Sequence, residues 1–167
     1  MRPDRFDLPE ADAFSRPYWE AAAGGRLLLR HCAACGHTHH YPREFCPRCW
    51  SEDVHWRPAS GHATLYTWSV VHRNDLPPFR GRTPYVAAVV DLAEGPRMMT
   101  GIVECEEAAL RIGMGLEVTF RSTGSPGPAE FWVPVFRPRG GCRAAGRDSM
   151  AGWPTRTSST PPTPSAS

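Results

Sequence analysis

RLLLRHCAACGHTHHYPREFCPRCW, residues 26–50, holds two C-x-x-C pairs, Cys32/Cys35 and Cys46/Cys49, with ten residues between them. Each pair bends into a tight knuckle that aims two thiolates at one point. Two knuckles facing each other across a hairpin complete a tetrahedral site of four sulfurs. Zn2+ suits such a site, because it makes no ligand-field demand and accepts soft thiolates at about 2.3 Å. The thiols must ionise to bind, so metal binding is coupled to folding of the segment. Four protein ligands leave no open position for water or substrate, and the expected metal is therefore structural. Ligand identity alone leaves iron open as the alternative. His37, His39 and His40 lie between the two pairs; with four thiolates already at hand they are expected to face solvent or to stand behind the sulfurs. Tyr41, Phe45, Trp50 and Trp56 are expected to pack around the ribbon and its neighbour.

Upstream, residues 1–12 are polar and punctuated by proline, which predicts an irregular arm. Ser15 is a candidate N-cap for a short helix, with Arg16-Pro17 in its first turn and Gly24-Gly25 as its stop. The helix carries Tyr18 and Trp19, which must bury against the main domain or against another protein.

Downstream, Pro58-Ala59-Ser60-Gly61 is a turn cluster and the expected boundary between modules. From His62 the pattern is that of strands: HATLYTWSVVH at 62–72, PYVAAVVDL at 84–92, RMMTGIVE at 97–104, LEVTF at 116–120 and a fifth at 130–136. Glu94-Gly95-Pro96 predicts a hairpin between the second and third. Residues 105–112 predict one or two helical turns between the third and fourth, and that position favours a five-stranded OB-fold barrel over an SH3-like barrel or a small sandwich. Met98 and Met99 fall on opposite faces of the third strand, Cys105 is expected to be a small buried residue, and Cys142 carries no reading. After Arg137 the chain is Ser, Thr, Pro, Gly and Ala with almost no large aliphatic residue, so it cannot offset its ordering entropy and is expected to be disordered. The expected organisation is an arm and helix at 1–25, a zinc ribbon at 26–58, an OB-fold domain at 59–137 and a disordered tail at 138–167. The fold class is mainly β.

Composition narrows the function. The net charge is only +2, all of the positive side chains are arginine, and they are scattered, which argues against a phosphate-tracking stripe and a nucleic-acid partner. No window reaches the roughly 18 apolar residues of a membrane span. The N-terminal MRPDRFDLPEADAF has no apolar core of a secretory signal, and the expected location is cytoplasmic. In that reducing compartment, paired cysteines read as metal ligands rather than disulfides. No nucleophile elbow, zincin helix, phosphate loop or dinucleotide fingerprint is present, so no catalytic residue is assigned. His62, His72 and Asp75 form a triad only if the fold gathers them. The loop RNDLPPFRGRT at 73–83 places Arg73, Phe79, Arg80 and Arg82 between two barrel strands, where it reads equally as a ligand- or partner-facing loop and as an ordinary solvated one.

The order of YWEAAAGG, the two-knuckle segment, TLYTWSVVH, PYVAAVVDLAEG and IGMGLEVTF closely resembles the rubredoxin-like zinc-ribbon plus OB-fold proteins of acyl-CoA metabolism, domain-of-unknown-function family thirty-five, over about residues 12–137. The resemblance implies a non-catalytic accessory subunit that pairs with thiolase-like or hydratase-like enzymes acting on acyl-CoA thioesters. Among these are aldolases that shorten sterol-derived CoA esters by retro-aldol cleavage. By the same resemblance Tyr18, Trp19, Arg73, Phe79 and Arg82 are the candidates for contact with a partner or with an acyl-CoA. The chain departs from the family where the fifth strand runs at once into the low-complexity tail, which puts the last part of the barrel in question. Two readings from other classes remain: a single-strand-binding OB module, with Tyr66, Trp68 and Phe120 as stacking platforms, and a rubredoxin-like electron carrier.

Overall fold

The computed structural model describes residues 11–76, 79–123 and 131–142, and the backbone of 155–157. Helix α1 spans Arg16–Ala23. Ser15 does not cap it through its side chain; its N–H and hydroxyl both donate to Asp12 at 2.6 Å, one turn earlier. The helix stops as the glycine pair predicts. Gly25 takes φ 75°, its N–H donates to the Ala22 carbonyl, and the Arg26 N–H reaches back to Ala21 at 2.8 Å. That pair of bonds satisfies the last carbonyls and turns the chain toward the ribbon.

The ribbon is a three-stranded antiparallel sheet in which β1 (Leu28–Cys32) lies between β2 (Thr38–His39) and β3 (Val54–Pro58). Five strands then form the barrel: β4 (His62–Val71), β5 (Tyr85–Leu92), β6 (Arg97–Ile102), β7 (Gly115–Ser122) and β8 (Trp132–Pro138). Their lateral order is β4-β5-β6-β8-β7, and β7 returns to β4 through Ala63↔Leu116 and its neighbours, so the sheet closes. All neighbours are antiparallel except β6 and β8, which are parallel. This is the OB-fold order. The helix expected at 105–112 is only the 3-10 turn Glu107–Ala109, bounded by extended residues; three alanine and glutamate positions are too few to hold a longer helix without burying a face.

Alternation puts one face of every barrel strand inside. On β5 Val86, Ala88, Val90 and Leu92 are buried while their neighbours are not, and on β6 Met98 is buried while Met99 is 69% exposed. Phe120 and Phe136 fill the centre with Leu65, Leu110 and Leu116. The same hydrophobic cluster takes in Tyr18, Ala21 and Ala22 of α1 and Leu27, Leu28 and Leu29 of the ribbon. Helix and ribbon therefore cap the barrel rather than hang from it.

The barrel keeps its last strand in full, which answers the doubt raised by the abrupt change of composition: β8 pairs with β7 over seven residues, Trp132 to Pro138. Within the tail, Thr155–Thr157 forms a ninth strand, β9, paired with Thr119, Phe120 and Arg121 of β7. The rest of the segment expected to be disordered, 143–154 and 158–167, lies outside the described residues, as do the arm at 1–10, Pro77-Pro78 and the loop at 124–130. Two cysteine readings change. Cys105 is half-buried rather than buried, and it forms a disulfide with Cys142, their Cα atoms 5.1 Å apart. The pair escapes sequence reading because 37 residues separate the partners and neither belongs to a C-x-x-C unit.

Candidate functional site

The two knuckles are built alike. In each, the residue after the second cysteine donates its N–H to the carbonyl of the first: Gly36 to Cys32 and Trp50 to Cys46, both at 2.9 Å. That turn needs a left-handed residue at its end, and Gly36 (φ 71°) and Trp50 (φ 64°) both supply it. Cys32 leaves the end of β1, and Cys46 precedes the turn that leads into β3. The four Sγ atoms lie within 4.8 Å of one another, with Cys32–Cys49 and Cys35–Cys46 each at 3.6 Å. A tetrahedral centre with metal–sulfur bonds of about 2.3 Å requires edges of about 3.8 Å, so the sulfurs stand nearly where a metal would hold them. Cys32 and Cys46 are fully buried, and the Arg48 N–H donates to Cys46 Sγ at 3.4 Å, which stabilises a thiolate there. Among the described residues this is the one group of His, Cys, Asp and Glu side chains close enough to hold a metal.

For two of the three histidines the solvent-facing reading does not hold. His37 stacks on His39 with ring centroids 5.9 Å apart, but His39 and His40 face inward, at 7% and 9% exposed. Neither ring has a hydrogen-bond partner at either nitrogen. Burial drives the His40 pKa down to about 4, and burial, with His37, Arg30 and Arg43 nearby, lowers that of His39, so both rings are neutral near pH 7. Arg30, paired in register with His39, is equally buried. Its guanidinium lies about 5 Å from the rings of Phe14 and Trp56, and burial lowers its pKa. A lone arginine in a strand gave no sign of this, because its aromatic partners come from residues 14 and 56.

The aromatic residues divide. Trp56 packs as expected, against Tyr18 and Phe14. Tyr41 and Trp50 pack less completely: Tyr41 is 57% exposed with its ring edge-on to His40 at 4.9 Å, and Trp50 is 72% exposed and stacked on Phe45 at 5.1 Å. Tyr18 is buried, touching Trp19, His40 and Trp56, so it holds α1 on the ribbon rather than presenting a surface. Trp19 is half-buried, edge-on to Phe131. In the β4–β5 loop Arg73 is exposed and paired with Asp75 at 3.1 Å, Phe79 leans on Tyr85, and Arg82 is half-buried. Asp75 is thus engaged by Arg73 while His62 and His72 stay exposed, so the triad residues are not gathered by any contact among them. Of the three platforms for nucleobases, Phe120 is completely buried, and Tyr66 carries the Arg97 guanidinium on its ring at 3.5 Å. No helix among the described residues is long and apolar enough to cross a membrane.

Two family models match in tandem: the rubredoxin-like zinc ribbon domain of ChsH2 over residues 19–55 and the C-terminal OB-fold domain of ChsH2 over 56–121. The chain belongs to the DUF35 family. A DUF35 domain-containing scaffold protein of Pyrococcus furiosus is 33% identical over 62% of this chain and 76% of its own length. A probable enoyl-CoA hydratase alpha subunit of Thermomonospora curvata is 36% identical over 72% of this chain, which spans only 36% of that relative. A solved structure of an Ltp2-ChsH2(DUF35) aldolase superposes with a TM-score of 0.66 at 34% identity, covering 78% of this chain and 98% of the matched one. A DUF35 protein of unknown function from Sulfolobus solfataricus, at 10% identity and a TM-score of 0.52, shares the fold.

Proposed function

We propose that this DUF35 chain is a zinc-structured, non-catalytic subunit that docks on a thiolase-like or hydratase-like enzyme acting on acyl-CoA thioesters, with a retro-aldol side-chain-cleaving aldolase as the favoured partner. The observation that carries this reading is the likeness to the DUF35 chain of the Ltp2-ChsH2 aldolase, which extends over almost all of that chain. The Thermomonospora curvata relative supports a hydratase-like partner from a second direction, since it is named as a probable hydratase alpha subunit. Cys32, Cys35, Cys46 and Cys49 hold Zn2+ in preference to iron, and their role is to keep the ribbon folded against the barrel. Trp19 on α1, braced from below by Tyr18, and Arg73, Phe79 and Arg82 in the β4–β5 loop are the residues offered to the partner or to the CoA thioester.

Co-purification from the native host tests the reading. A thiolase-like or hydratase-like protein recovered in stoichiometric amount supports it. Recovery of this chain alone, at a concentration where a stable complex persists, overturns it. Elemental analysis of the same preparation distinguishes the metals: one zinc per chain is expected, and a coloured iron protein would replace this reading by that of an electron carrier.

A further inference from the structure

The two cysteines outside the four-sulfur site are joined to each other. Cys105 lies at the corner after β6, and Cys142 just past the end of β8 at Pro138. Their Cα atoms are 5.1 Å apart, within the span of about 4.4–6.8 Å that disulfides bridge without moving the backbone. Both residues are half-buried, so the bond is not sealed in the core. Two sharp turns deliver the sulfurs. Glu104, directly before Cys105, takes φ 57°, which strains a residue with a Cβ; Gly140 and Gly141, directly before Cys142, take φ 84° and 80°. Non-covalent contacts hold the same two segments side by side. The Val103 N–H donates to the Phe136 carbonyl at 2.9 Å, Arg137 Nη1 donates to Glu104 Oε2 at 3.3 Å, and the Arg139 N–H donates to the Gly115 carbonyl at 3.0 Å.

The corner itself is thinly held. Its one regular element is the 3-10 turn Glu107–Ala109, and of residues 105–110 only Leu110 is buried in the core. The two groups of cysteines also call for opposite conditions. The four sulfurs take a metal only as free thiolates, whereas Cys105 and Cys142 are bonded. Where thiols are kept reduced, a disulfide that is not sealed away is of the transient, redox-sensing kind.

We propose that Cys105 and Cys142 form a reversible redox clasp, which locks the corner after β6 to the exit of β8 and is opened by a dithiol reductant. Opening is thiol–disulfide exchange. A thiolate of the reductant attacks one sulfur, the S–S bond breaks, and the released cysteine takes up a proton. The second thiol of the reductant then displaces the other cysteine from the mixed disulfide. The protein gains two electrons and two protons, and the reductant leaves as its own disulfide. Closed, the clasp ties down the corner that carries Leu110 and anchors the chain beyond residue 142. Open, both rest on the non-covalent contacts alone, and those contacts keep the two thiols close enough to join again when the reductant is replaced by its disulfide form.

The test equilibrates the full metal-loaded chain with mixtures of reduced and oxidised dithiothreitol, then maps free thiols by alkylation and mass spectrometry and counts the metal. The expected result is complete and reversible conversion of the Cys105–Cys142 pair with the metal retained. The open form is expected to melt about 5–10 °C lower, and its amides at 103–110 to exchange at least about tenfold faster. Cys142→Ser is expected to show the open form's melting and exchange in every mixture. A bond that stays closed in excess reduced dithiothreitol, or that does not form again in the oxidised reagent, overturns the reversible clasp. Opening that leaves the exchange at 103–110 unchanged, or a Cys142→Ser chain that behaves as the closed form, overturns its hold on the corner.

Discussion

The ribbon and the barrel are held together by opposite means. The barrel has a continuous apolar interior centred on Phe120, Phe136 and Leu116, every strand donating alternate residues to it. The ribbon's own buried cluster is Cys32, Cys46 and Val54, and two of those three belong to the four-cysteine site proposed to hold the metal. Its other large apolar residues point elsewhere: Leu27, Leu28 and Leu29 into the barrel's cluster, Trp50 into solvent. A segment of this size buries too little by itself to offset its ordering entropy. On the proposed metal site, one region is folded by burial and the other by coordination, and the leucines of β1 are the seam between them.

The largest expected effect is on the ribbon. Metal binding in comparable four-ligand peptides is worth about 10–16 kcal/mol at pH 7, which exceeds what the ribbon's remaining contacts supply. Cys46→Ser is expected to abolish zinc binding and the yield of soluble folded protein, read by elemental analysis and by amide exchange. A Cys46→Ser protein that keeps both its metal and its folded ribbon would contradict the structural-metal assignment.

The barrel is expected to respond differently. Phe120→Ala removes a fully buried ring from its centre and leaves a cavity, at a cost of about 3–5 kcal/mol. Because the cysteine site is built from the ribbon's turns alone, the variant is expected to unfold at lower denaturant while still carrying one zinc per chain below the transition. Loss of the zinc in parallel with barrel stability would mean that the seam, and not the sulfurs, organises the ribbon.

The split between the two regions also governs what could be read from the sequence. The cysteine spacing names the four sulfurs that the structure brings together, and alternation names the inner face of a strand such as β5, because both are local patterns of a few residues. Closure of the barrel follows from strand order. What escaped was everything decided by distant chain. His39 and His40 look like polar loop residues, yet α1 and the strands of the ribbon enclose them. Tyr18 and Trp19 are adjacent, and only tertiary packing buries one and leaves the other partly open. Phe120 reads as readily for a nucleobase platform as for a core residue, since an aromatic residue on a barrel strand occupies either face according to register. The disulfide between Cys105 and Cys142 is fixed by the corner that brings the segments after β6 and β8 together, and no spacing rule anticipates it.

A smaller effect belongs to the boundary where helix, ribbon and imidazole meet. The folded-state pKa of His40, about 4, lies below the ordinary 6.5, so between those values the unfolded chain holds a proton that the native chain refuses. Stability is therefore intact above about pH 6.5 and falls as the pH drops toward 4, by about 2 kcal/mol between pH 7 and pH 5 and about 3 kcal/mol near pH 4 for this group alone. Acid also protonates thiolates, so the comparison is with His40→Phe at equal zinc content: denaturation of the variant at pH 7 and pH 5 is expected to lose that much less than the parent. Equal losses in both would place the acid sensitivity at the metal rather than at His40.

The smallest effect compares the knuckles with each other, since they share a turn but end it with different residues. At Gly36 the left-handed conformation costs nothing, and the space where a Cβ would sit is open. Gly36→Ala is therefore expected to cost about 1 kcal/mol, all of it backbone strain. At Trp50 the same strain is already present, so Trp50→Gly relieves about 1 kcal/mol; it also removes the stack on Phe45, in which the rings lie 15° from parallel, worth about 0.5–1.5 kcal/mol. The two terms nearly cancel, and thermal or denaturant unfolding of the zinc-loaded variant is expected to match the parent within about 0.5 kcal/mol. If Trp50→Gly is instead stabilising by the full strain, the stack with Phe45 contributes nothing to the isolated chain, and an exposed tryptophan held at a strained position has to be explained by something outside the fold. If it is destabilising by more than about 1.5 kcal/mol, the indole braces the second knuckle, and the two halves of the metal site differ in what supports them as well as in sequence.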